Sequence, residues 1–373
     1  MAVTYLSKAF FDGEQLHQNA SVTVENGKVL SLEAQTGAQV IELDGLLVPG
    51  FVDVQVNGGG GVLFNTDQSV QGIAEILKAH ARFGTTAMLP TLITDDLDVI
   101  QKAANGMAEA IAAKTPGIHG IHFEGPHLSK PKKGIHREQF IRPISDAELA
   151  QFCRQDLGKV LVTLAPENVP ADVIRDLVKQ GVKVCLGHSN ADVDTTLAAI
   201  EAGADGFTHL FNAMSAMTSR EPGMVGAALA SDSYCGLILD HYHVHAISAK
   251  AAIKAKGIER IMLVTDAMAH VGADMDELPF FDTQIRRNGD MLTIPGGTLA
   301  GSALDMASAV RNCHRDLGFT LAQSLQMASL TPACYLGLDN KLGKLQPGFN
   351  ADMVLLDDNQ QVKQNWIGGQ AQL

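Results

Sequence analysis

Residues 182–214 read VKVCLGHSNADVDTTLAAIEAGADGFTHLFNAM, and their pattern decides the fold. An apolar run from Val182 to Leu186 closes on His188. A helical pattern, VDTTLAAIEAG, follows, with Gly203 where a helix end favours a left-handed residue. A second apolar run then closes on His209, 21 residues after the first histidine. One helix plus one strand fills that interval, so the two imidazoles arrive at adjacent strand ends. The same shape recurs in GIHGIHFEGP, which closes on Glu124, and in RIMLVTDAM, which closes on Asp266. A (β/α)8 barrel has a packed interior and presents its chemistry at the C-terminal strand ends. Four polar residues closing four apolar runs fit that plan.

Working outward, eight candidate strands can be counted: 48–56, 85–92, 118–124, 159–165, 182–187, 206–211, 235–241 and 260–265. Helical patterns such as QGIAEILKAHARF and ADVIRDLVKQG lie between most of them, which favours parallel α/β units. After the eighth strand, residues 278–301 read as a β excursion, followed by helices over 305–318 and 321–337. The N-terminal residues read as short strands separated by turn signals at Asp12-Gly13, Asn26-Gly27 and Asp44-Gly45. The C-terminal residues have similar character. The expected architecture is therefore α/β: a TIM-like barrel over 49–341 and a small β-sandwich domain built from both termini, 1–48 with 342–373.

The chain has 373 residues, 46% of them hydrophobic and 18% charged, which is an ordinary globular composition. A formal net charge of −13 argues against nucleic acid or an anionic membrane as partner, although a local basic patch can still receive a small anion. The five cysteines show no CxxC pairing and fit reduced thiols in the cytoplasm. The first residues lack the pattern of a signal peptide, and no apolar run reaches bilayer length.

The four strand-end residues carry the chemistry. Neutral His188 and His209 are suitable ligands for Zn²⁺ or a similar divalent ion, and Glu124 fits as an anionic third ligand that leaves a coordination position for water. Either histidine alone could equally be a buried, hydrogen-bonded imidazole; the set of four favours a metal site. Asp266, led in by Ile261-Met262-Leu263-Val264, suits a general base, with a helix N-cap as the alternative. Arg220, in SREPG beyond the His209 strand, offers a fork for phosphate, and Asn212-Ala213 opens a segment whose N–H groups can meet phosphate oxygens. The Lys-rich loop SKPKKGIH after Glu124 reads as a solvated loop or as a lid that steers an anion. His241, His243 and His245 recur at period two and would share a face on a strand.

These motifs resemble the amidohydrolase superfamily, and within it the deacetylases of amino-sugar phosphates. The resemblance runs nearly the full chain: PGFVDVQVNGGGG (49–61), HFEGPHLSKPKKGIH (122–136), GHSNA (187–191), THLFNAM (208–214), REPG (220–223), VTDAM (264–268), GTLAGS (297–302) and LQPGFNADMV (345–354). It implies hydrolysis of N-acetyl-D-glucosamine 6-phosphate to D-glucosamine 6-phosphate and acetate. It further implies that Asp266 acts as base and then acid, that His136 polarises the amide carbonyl, and that Asn212, Ala213, Arg220 and His243 contact the substrate, His243 across a subunit interface. A homodimer or dimer of dimers is expected on the same ground. Many superfamily members carry His-x-His on the first strand for a second metal, whereas this chain has Asp53-Val54-Gln55; no lysine follows the fourth strand to form a bridging carbamate. One divalent ion per subunit is therefore expected, Zn²⁺ first, with Fe²⁺, Co²⁺ or Ni²⁺ also acceptable to such a set, and Gln55 reaching the site through water. An amidohydrolase acting on a cyclic amide or nucleobase would more often show His-x-His and lack the Arg220 region. A non-catalytic sugar-phosphate sensor would be expected to lack Asp266 or a ligand.

Overall fold

The computed structural model describes residues 2–372. Eight strands line up in chain order: Phe51–Val56, Thr85–Ile93, Gly120–Glu124, Lys159–Leu164, Lys183–Leu186, Gly206–Phe207, Tyr234–Leu237 and Ile261–Leu263. Each neighbouring pair is parallel. The seam between the eighth and first strands is drawn together by a bridge between Val56 and Ala267 and by the Asp266 N–H donating to Gln55 O at 3.0 Å. The strands are buried almost throughout, as expected when helices cover one face and packed side chains fill the other. The predicted (β/α)8 barrel is thus observed.

The helices start where short polar side chains can hold free N–H groups. Ser69 caps Val70–Ala81, Asp192 caps Val193–Glu201 and Asp305 caps Met306–Arg315. The single helix expected over 321–337 is instead two, Leu321–Ala328 and Leu330–Tyr335, parted at Ser329. Pro332 has no N–H to offer Ala328, so the helical ladder cannot run through. The β excursion forms an antiparallel sheet of Glu277–Phe280, Thr283–Asn288 and Met291–Thr293.

Both termini build one seven-stranded sheet, in the order Gln370–Ala371, Val362–Ile367, Met353–Leu356, Gln39–Pro49, Val3–Phe11, Leu16–Glu25, Lys28–Ser31. The sandwich takes the form of this single sheet curled on itself. A bridge joins Lys28 to Asn350, and the Tyr5 and Trp366 rings, from opposite halves, lie 5.1 Å apart in a shared core with Val22, Val29 and Met353. Asn26-Gly27 makes the expected hairpin turn. Asp44-Gly45 does not: it lies inside the strand Gln39–Pro49, where the pairing with Val3–Phe11 shifts register. That pairing is parallel, so no hairpin is required, and Gly45 marks a bulge. The barrel strand expected from residue 48 starts at Phe51, because residues 48 and 49 finish the terminal-sheet strand.

Candidate metal and proton-transfer site

Glu124, His188 and His209 each stand at the top of a barrel strand, buried around one point. The two Nε2 atoms lie 3.1 Å from Glu124 Oε1 and 2.9 Å from each other. His188 Nδ1 faces the carbonyl oxygen of Lys132 at 2.8 Å, so Nδ1 carries a proton and Nε2 of the neutral ring offers a lone pair. His209 Nδ1 is buried with no partner among the described residues. Two imidazole nitrogens and a carboxylate oxygen converging this closely demand positive charge between them, as protons or as a cation. Burial works against the charged form of Glu124, but its hydrogen bonds with His188 and His209 outweigh that and hold the carboxyl well below its usual range. The donor set fits a divalent metal, and it is the group of this kind found among the described residues.

Of the other predicted residues, His136, Asn212, Ala213, His243 and Asp266 help to line the same cavity, about 220 Å³ in volume, and Asn57 joins them. His136 ends the Lys-rich loop and is buried. Its Nδ1 receives the Thr94 N–H at 3.3 Å and contacts Thr94 Oγ1 at 2.7 Å, leaving Nε2–H as the donor. Burial, followed by the closeness of the His188 ring, holds His136 well below the usual histidine range, so the ring is neutral. Burial and the Glu124 carboxylate push Asp266 up to about 6. Its backbone sits at φ +52°, as His188 does at +46° and His209 at +36°. The Lys-rich loop is no solvated excursion: Ser129 N–H donates to His188 O, and Gly134 and Ile135 help to line the cavity. Its lysine side chains do not line it.

His243 belongs to the cavity of its own chain and pairs through Nδ1 with Asp240 Oδ2 at 2.6 Å. The expected shared face for His241, His243 and His245 is not formed, because the strand ends at Leu237 and 240–245 is a turn into the helix Ala246–Lys256. His241 instead pairs with Asp316, and His245 caps the helix by accepting from Ile247 N. Arg220 is exposed and stands outside the residues that line the cavity. A larger cleft of about 740 Å³ lies beyond the 240–242 turn and holds no comparable convergence of ligand atoms.

Residues 46–371 match the Amidohydrolase family. The chain belongs to that family. The chain is similar to an N-acetylgalactosamine-6-phosphate deacetylase of Shewanella sp. (strain ANA-3), 51% identical over 95% of this chain and 92% of the relative. It is also similar to an N-acetylglucosamine-6-phosphate deacetylase of Haemophilus influenzae, 34% identical over 92% of each chain. The crystal structure of N-acetylglucosamine-6-phosphate deacetylase from Pasteurella multocida superposes with a TM-score of 0.96 at 35% identity, covering 100% of this chain and 99% of that one.

Two features of this site were not singled out from sequence. Asp53 is buried and accepts from Thr265 Oγ1 at 2.5 Å, bracing the residue before Asp266; burial pushes its carboxyl up to about 7. Asn57 donates to Asp266 Oδ1 at 2.6 Å. The signal was present: Asp53, Gln55 and Asn57 alternate with Val52, Val54 and Val56, so period two sets all three on one face. Gln55 directs its Nε2 at both Glu124 oxygens, 3.3 Å each, and at Asp266 Oδ1. An amide nitrogen has no lone pair to give a metal, so this orientation makes Gln55 a donor to the carboxylates.

Proposed function

We propose that this amidohydrolase removes the N-acetyl group of N-acetyl-D-glucosamine 6-phosphate, giving D-glucosamine 6-phosphate and acetate. The observation that carries the reading is the placement of Asp266 and neutral His136 around the Glu124–His188–His209 group in one cavity, in a chain whose relatives are named for this chemistry. A divalent cation held by Glu124, His188 and His209, one per subunit with Zn²⁺ as first candidate, would lower the pKa of a water and polarise the amide carbonyl. Asp266 takes a proton from the attacking water as the new C–O bond forms. His136 Nε2–H donates to the developing oxyanion. Asp266 then returns its proton to the nitrogen as the C–N bond breaks, so amine and acetic acid leave and equilibrate with solvent as ammonium and acetate. Asn212, Ala213 and His243 bind the sugar phosphate.

Arg220 is proposed as a contact to the substrate phosphate and the enzyme as a homodimer or dimer of dimers; in the single chain Arg220 is exposed and outside the cavity lining. The catalytic unit spans 49–341, with 1–48 and 342–373 as its scaffold, and the five free cysteines suit a cytoplasmic enzyme. No helix among the described residues is long and apolar enough to cross a membrane.

A second reading concerns the sugar. The 51% identical relative is named for N-acetylgalactosamine 6-phosphate, the 4-epimer, so that sugar is the competing substrate. Steady-state kinetics on both 6-phosphates test this. A kcat/KM higher for the gluco epimer supports the first reading, and one higher for the galacto epimer replaces it with the second. Turnover of neither removes both.

A further inference from the structure

The two carboxylate oxygens of Asp266 have different surroundings. Oδ1 accepts from Asn57 Nδ2 at 2.6 Å and from Gln55 Nε2 at 3.2 Å. No hydrogen bond from a described residue falls on Oδ2. Asn57 is buried, lines the cavity and starts from the barrel seam, where its own N–H donates to Ala267 O at 2.9 Å. A carboxylate only accepts, so the Asn57 NH2 must face Asp266, and this leaves Asn57 Oδ1 buried with no partner. Buried carbonyl oxygens without a partner are uncommon and unfavourable. A side chain serving the fold alone gains nothing from that arrangement; one serving Asp266 does.

We propose that Asn57 is a positioning residue for the proton shuttle: with Gln55 it fixes Oδ1 of Asp266 as a standing acceptor and leaves Oδ2 as the oxygen that carries the proton. The proposal rests on the deacetylase reading. A proton on Oδ1 would point into two N–H groups, so protonation is confined to Oδ2. Oδ2 takes the proton from water as the C–O bond forms and gives it to nitrogen as the C–N bond breaks. Throughout, Oδ1 keeps both hydrogen bonds, first as a carboxylate oxygen and then as the carbonyl oxygen of the neutral acid. The side chain therefore stays in one orientation between the two half-steps, although the backbone beneath it is held at φ +52°.

The test compares wild type with Asn57→Leu, which keeps the shape and loses the donor, and with Asn57→Ser, which keeps a donor and room for a relaying water. Turnover of both hexosamine 6-phosphates, bound metal per subunit and Tm are measured for each. The expected result for Asn57→Leu is a kcat lower by about 10- to 100-fold with KM within about threefold, and metal content and Tm as in wild type. Asn57→Ser is expected between the two, and it carries the test if the leucine variant fails to fold. An active wild type with an unchanged kcat in the variants overturns the proposal alone. A kcat loss that tracks lost metal also overturns it, by making Asn57 a support of the metal group. An inactive wild type removes the deacetylase reading and the proposal with it.

Discussion

The two ends of the barrel meet the same backbone demand with different residues. At the N-terminal end, where chain enters the strands, left-handed turns fall mainly on glycines such as Gly158 (φ +72°) and Gly181 (φ +86°), with Lys114 (φ +54°) an exception. At the C-terminal end glycines such as Gly125 (φ +85°) take some of these turns, but His188, His209, Phe211, Ala213, His241 and Asp266 take others, with φ between +36° and +80°. Glycine adopts that region freely, whereas a side chain there costs about 1 kcal/mol or more. The mouth of the barrel accepts that cost at six positions, three of which hold two of the proposed ligands and the proton shuttle. The difference teaches where this fold is built for stability and where it is built to aim side chains: a sharp turn directly after a strand throws His188, His209 and Asp266 inward over the barrel axis, and a glycine there would have nothing to aim.

The largest expected effect at the mouth is chemical. Asp266→Asn should lower kcat by about 10²- to 10⁴-fold while Tm and bound metal stay near wild type. A kcat within tenfold of wild type would mean that the strained turn at 266 does not aim a proton carrier. Next, chelation should lower Tm as well as activity, because the Glu124–His188–His209 group is left without its cation. At a metal concentration 100 times Kd the bound ion contributes about 2.7 kcal/mol, and readdition should restore it. An unchanged Tm after complete metal removal would show the group stable on protons alone.

Smaller effects sharpen the comparison itself. Gly181 has nothing within 4 Å of where a β-carbon would lie, so Gly181→Ala measures backbone strain without a clash, expected at about 1 kcal/mol of destabilisation. Conversely, His188→Gly should be more stable than His188→Ala by about 0.5–1 kcal/mol when both are unfolded by urea in chelator. Equal stabilities would show that φ +46° at residue 188 is not strained. A further effect lies far from the mouth, in the terminal sheet. Burial raises the Asp352 carboxyl to about 6, against the N–H of Gly368 and the amide of Asn350. The folded chain therefore binds a proton there that the unfolded chain releases, and this contribution to stability is lost as pH rises from about 4 through 6. Asp352→Asn should flatten that dependence, so that the Tm of the variant gains on wild type over this range; parallel Tm curves would contradict it.

Much of this molecule was legible in its sequence because barrels repeat. Eight apolar runs, each followed by a helical or turn signal, fix the strand count, and a polar residue closing a run marks a C-terminal strand end. Glu124, His188, His209 and Asp266 were found that way. What was not legible depends on contacts made between distant segments. Asp44-Gly45 carries a turn signature yet lies within one long strand, because its parallel partner Val3–Phe11 needs a bulge there rather than a reversal. The three histidines at 241, 243 and 245 have strand spacing, but the chain leaves the strand at Leu237 and Asp240 gathers His243 into a turn. Arg220 has a suitable charge for phosphate, but only the folded chain shows that it stands outside its own cavity. Asn57 directly follows the first barrel strand, and its partner is 209 residues away across the barrel seam.

The central claim is that the mouth of this barrel hydrolyses the amide of a hexosamine 6-phosphate with a cation held by Glu124, His188 and His209. The most direct measurement is acetate release from N-acetylglucosamine 6-phosphate, N-acetylgalactosamine 6-phosphate and unphosphorylated N-acetylglucosamine, with bound metal counted in the same sample before and after chelation. The account predicts turnover of a phosphorylated sugar, little turnover of the unphosphorylated one, and activity that rises and falls with about one divalent ion per subunit. Metal-loaded protein that releases no acetate from either 6-phosphate, or full turnover after the metal is gone, would contradict it.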